Sequence, residues 1–82
     1  MRTIFEGMRL CGDLTVQYYL LAEETEGMGE SYGVLVESGD DMVSIPNITH
    51  SHTQITRLLE LLMRGAVTPA AVQDVVDDWL LR

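Results

Sequence analysis

The chain has 82 residues, a single cysteine and a formal net charge of −8, from 13 acids against five bases. This length holds one domain, a hydrophobic content of 46% separates it from disordered chains, and the single cysteine excludes an internal disulfide. All five bases are arginines, and they form no basic stripe, which excludes nucleic-acid binding by phosphate neutralisation and disfavours anionic membranes. Met1 to Glu6 contains no long apolar run and no later segment approaches a membrane-spanning length, so a cytoplasmic protein is expected.

In chain order, Ile4 to Leu10 reads as a first strand, leaving through the turn-forming Cys11-Gly12-Asp13. Leu14 to Ala22 alternates Leu14, Val16, Tyr18, Leu20 and Ala22 against Thr15, Gln17, Tyr19 and Leu21, a period of two on a β-prone run, and predicts a central strand. Tyr32 to Glu37 is a third strand, bounded by Gly27-Met28-Gly29 and by Ser38-Gly39-Asp40-Asp41. Met42 to Ile45 is a short fourth, ended by Pro46, which has no amide to give to a ladder.

From Thr49 onward the period changes to that of a helix. Ile55, Leu58, Leu59, Leu62 and Met63 fall at i, i+3, i+4, i+7 and i+8 of one face. Ser51 is the expected N-cap, in a reciprocal box with Gln54, and Thr49 is its rival. Gly65 is the expected left-handed residue after the last turn. The second helix starts with Thr68 as cap and Pro69 in the first turn, with Val67 and Val72 placed as a hydrophobic staple. Its stripe is Val72, Val75, Val76, Trp79 and Leu80.

Two helices this short cannot bury both stripes alone, so the strands must supply their platform. Strands first and helices last predict a single α+β domain: an antiparallel meander of three to four strands over residues 1–48, with a helical pair over 49–82 packed on one face. The central strand is apolar on both sides. Tyr19 and Leu21 would then lie on the face that the helices leave open, with Phe5 or Leu35 as candidates to extend the patch. Such a patch suggests a protein partner or self-association as a symmetric dimer.

No motif amounts to a catalytic signature, and no cofactor is expected. His50 and His52 could begin a metal site, but no second pair of histidines or cysteines completes four ligands. Cys11 with one of these histidines as base is the enzymatic alternative, although no local signature places them together. Asp74, Asp77 and Asp78 lie opposite the stripe of the second helix. Asp77 and Asp78 stand near the negative end of the helix dipole, a mildly unfavourable place that hints at a basic partner, or at Arg57 or Arg64 from the neighbouring helix. Glu23, Glu24, Glu26 and Glu30 surround two glycines without the spacing of a calcium loop, and Gly39-Asp40-Asp41 is turn chemistry.

Tyr18-Tyr19-Leu20-Leu21, Ser31-Tyr32-Gly33-Val34, Ile48-Thr49 and Val67-Thr68-Pro69 followed by Asp74-Val75-Val76-Asp77-Asp78-Trp79-Leu80 together resemble a family of short uncharacterised domains from anaerobic Gram-positive bacteria. The resemblance spans about Tyr18 to Leu80 and leaves Met1 to Asp13 outside. It implies a shared fold and a shared helical surface, with no activity attached. The function expected from these readings is that of a small acidic, non-enzymatic protein-interaction module.

Overall fold

A computed structural model describes all residues from Met1 to Arg82. Four strands, β1 (Arg2–Cys11), β2 (Leu14–Thr25), β3 (Gly29–Ser38) and β4 (Asp41–Thr49), precede α1 (His52–Arg64) and α2 (Pro69–Leu80). The strands form one antiparallel sheet in the order β1-β2-β3-β4, an uninterrupted meander. Both helices lie on the same face, as the segregation of strands and helices along the chain predicts.

Alternation along β2 divides its side chains between the two faces. Val16, Tyr18, Leu20 and Ala22 point toward the helices; Val34 and Val36 stand across from Leu20 and Tyr18 on β3, and Ile45 and Val43 continue those rows on β4. The helices cover this surface with Ile55, Leu58, Leu59 and Leu62 of α1 and Val72 and Val76 of α2, all at most 2% exposed. Leu80, the last residue of the expected α2 stripe, is exposed, because the helix ends there and nothing packs beyond it. Gly7 faces the same side, and a Cβ there would stand 2.8 Å from Met63 Sδ, so the missing side chain makes room for the end of α1.

The turn between the helices departs from the sequence reading by one residue. Gly65 has φ −87°, and the left-handed residue is Ala66, with φ 47°. Ala66 N–H donates to Met63 O and Val67 N–H to Leu62 O, a Schellman closure with Ala66 at the glycine position. The register follows from where α1 must stop for Val67 to reach the core. An alanine in this conformation is strained, so Ala66→Gly should stabilise the domain by ~1 kcal/mol in denaturant unfolding.

The Val67 carbonyl is held in place by the Tyr18 hydroxyl, which donates to it at 2.8 Å. This bond ties the middle of β2 to the turn between the helices. Burial of the ring, then the nearby Cys11, raise the Tyr18 phenol above its usual value of 10.0, with Arg9 opposing. Because the folded state holds that proton more tightly, its contribution is complete below the unfolded value and is lost as pH rises through the folded one. Tyr18→Phe should therefore cost ~1 kcal/mol at neutral pH. The gap to wild type should close in alkali, as denaturant titrations across pH would show.

At the start of α1, Ser51 Oγ accepts from the Gln54 amide at 3.2 Å, while the Ser51 amide donates to Thr49 Oγ1 at 3.1 Å. Thr49 thus takes the place expected for the Gln54 side chain. Thr68 precedes α2 with extended backbone but makes no side-chain cap bond, and Pro69 occupies the first turn. β4 does not end at Pro46. Pro46, Asn47 and Ile48 bulge out opposite Gly33, with Asn47 at φ 56°, and pairing resumes where Thr49 meets Tyr32. An edge strand can carry the proline because only one of its sides must bond.

Candidate functional site

The helices leave the other face of the sheet bare. Across it the register aligns Phe5, Tyr19, Leu35 and Ser44 on four successive strands. The Phe5 and Tyr19 rings meet edge to face with centroids 5.5 Å apart. On the next row stand Met8, Gln17, Glu37 and Met42, with Leu10 beyond. Phe5 is 55% exposed, Met8 46%, Leu10 72% and Met42 60%. Along its thinnest axis the molecule extends only 17 Å, the depth of one sheet and one layer of helices, so nothing backs these residues.

Phe5 and Met8 share the face only because of a bulge. From Phe5 to Gly7, β1 takes two steps against a single step of β2, from Tyr19 to Tyr18, and Glu6 absorbs the extra residue. Without it, residues three apart would point to opposite sides. Alternation therefore suggested Phe5 and Leu35 but missed Met8, Met42 and Glu37. Only the register of the strands against one another brings those three into one patch.

Leu21 shares the direction of Tyr19 but is only 2% exposed, so it is not part of the accessible surface expected for it. It stands across from Gly33, where the backbone of Ile45 and Pro46 occupies the space a side chain would need. The bulge of β4 thus leans over this end of the face and closes above Leu21. Tyr19 stays partly exposed, and its hydroxyl donates to Glu37 Oε1 at 3.3 Å. Its phenol is raised above the usual value by desolvation first and then by the Glu37 charge and hydrogen bond.

The charges on this face have one sign. Glu37 lies within the apolar patch and Glu23 at its edge, opposite Ser31. Arg2 and Arg9 pair with Ala22 and Val16 on the helix side, Arg2 binding Glu30 there. The remaining three arginines are on or next to the helices.

The other sequence-derived candidates are dispersed. His50 Nδ1 lies 3.2 Å from the Glu30 carbonyl, and the His52 ring stacks edge to face on Tyr32. No group of three or more histidine, cysteine, aspartate or glutamate side chains is placed to hold a metal ion. Cys11 is half-buried beside the β1–β2 turn, at the opposite end of the sheet from Glu30 and the histidines. At ~3.3 Å per residue along β2 that separation is roughly 30 Å, far beyond the reach of a nucleophile and its base.

Asp74, Asp77 and Asp78 are all exposed on α2. Gln73 donates to Asp77 at 3.0 Å and Arg82 to Asp78 at 3.0 Å, so two of the three have partners on α2 or just beyond its end. Arg57 and Arg64 pair with neither, contrary to one expectation, because the arginine following α2 is one turn away.

The match to known proteins extends the resemblance read from the sequence. A family of unknown function (DUF6514) matches residues 6–82, nearly the whole chain, and includes most of β1. The chain belongs to this family. No curated protein and no solved structure shows significant similarity to it. In this DUF6514 domain no helix is long and apolar enough to cross a membrane. The family match begins at Glu6, so Phe5, which begins the aromatic row, lies just outside the matched part of the DUF6514 domain.

Proposed function

We propose that the protein is a small acidic, non-enzymatic interaction module that engages another protein chain through the open face of its sheet. The observation that carries this reading is the contiguous row of Phe5, Tyr19 and Leu35, with Met8 and Met42 beside it, on a sheet covered on one side only. A folded chain seldom leaves so connected an apolar surface in water, and burial of aromatic and methionine side chains drives most protein association. The acids of α2 are the weaker candidate, since Asp77 and Asp78 already have partners.

Methionine oxidation provides the test. Met8 and Met42 lie on the open face, whereas Met28 sits at the β2–β3 turn with 67% exposure and serves as reference. In dilute purified protein all three should oxidise readily. In native cells Met8 and Met42 should be protected several-fold relative to Met28. Equal reactivity of the three in cells would refute this role for the face.

A further inference from the structure

The chemistry of the occupant follows from Glu37. Its side chain stands inside the patch, between Gln17 on β2 and Met42 on β4, and its one hydrogen bond is from the Tyr19 hydroxyl. Anything that dries Phe5, Tyr19 and Leu35 also takes this carboxylate out of water. A charged carboxylate so buried is strongly disfavoured unless an opposite charge meets it. The face cannot supply that charge, since no arginine projects from it and the chain contains no lysine.

A second copy would not supply it either. Face to face, it would bring another Glu37 and Glu23 and a further net charge of −8. We propose, resting on the reading of this face as an interaction surface, that its occupant is a segment of a different protein: an apolar ridge carrying a lysine or arginine that pairs with Glu37. Phe5, Tyr19 and Leu35 receive the ridge. Glu37 sets its position along the strands, as a buried ion pair fixes register at an interface.

The experiment selects random linear peptides displayed on phage against the intact protein, with counter-selection on Phe5→Ser/Met42→Ser. Both replaced side chains are more than half exposed, so this variant keeps the fold, which circular dichroism checks. Peptides specific to the face should be enriched in lysine or arginine beside apolar residues. Replacing the selected base by glutamine should weaken binding about tenfold or more, and Glu37→Gln should remove that preference. Asp74→Asn/Asp77→Asn/Asp78→Asn, which removes more charge elsewhere, should preserve it, whereas equal loss would mean non-specific attraction and overturn the proposal.

The remaining outcomes separate the two claims. Face-specific peptides without basic residues, or with a preference that survives Glu37→Gln, overturn the inference and leave the interaction surface standing. So does a dimer in sedimentation that Phe5→Ser/Met42→Ser dissociates. A monomer that selects no face-specific peptide overturns both.

Discussion

Gly33→Ala should destabilise the domain by about 3 kcal/mol or more and lower its melting temperature by roughly 12–24 °C. A Cβ at this position would lie 2.2 Å from the Ile45 carbonyl oxygen and 2.6 Å from the Pro46 Cα. Both are backbone atoms, so no rotamer change relieves the clash. β4 would have to lift at the point where its bulge crosses β3, and with it would go the cover over Leu21. For a domain of this size the expected loss is a large share of the total stability. Thermal unfolding measures it, and a shift of only a few degrees would mean that β4 does not press on Gly33.

Leu58→Ala should cost about 3–4 kcal/mol, whereas Leu58→Met should cost less than about 1.5 kcal/mol. Leu58 is fully buried and belongs to the one core that joins Tyr18, Val34 and Val36 of the sheet to both helices. Only 17 of 82 residues are buried, so few neighbours can collapse into the space that truncation leaves. Methionine keeps the volume and loses only shape. Denaturant midpoints of the two variants separate these effects: near-equal losses would show that leucine's branching, and not filled volume, is what the site requires.

Neither substitution removes a side chain from the open face. Gly33→Ala, however, disturbs the strand that carries Met42 and closes over Leu21, so it should also weaken whatever Phe5, Tyr19 and Leu35 bind. Leu58→Ala acts from the other side of the sheet. In protein that remains folded, it should leave binding intact.

Local periodicity by itself determined the two helical stripes, the Ser51 cap, the Pro69 start and the alternation of β2, because each depends on residues within a turn or two of one another. Composition set the acidic balance, and the order of strands before helices set the α+β arrangement. The phase between strands was beyond local periodicity, since alternation is the same whichever neighbour a strand pairs with. Long-range pairing decided that Glu6 and Pro46 to Ile48 would bulge. The first brings Met8 into line with Phe5, and the second hides Leu21 while Tyr19 stays open. The same holds at Ala66, where the left-handed residue is set by the docking of Val67 on the core and by its carbonyl's bond to Tyr18, 49 residues earlier in the chain. Glu37 drew no notice in a strand-end sequence. It became a site candidate only when the sheet set it among Tyr19, Gln17 and Met42, because desolvation of a charge depends on what surrounds it in space.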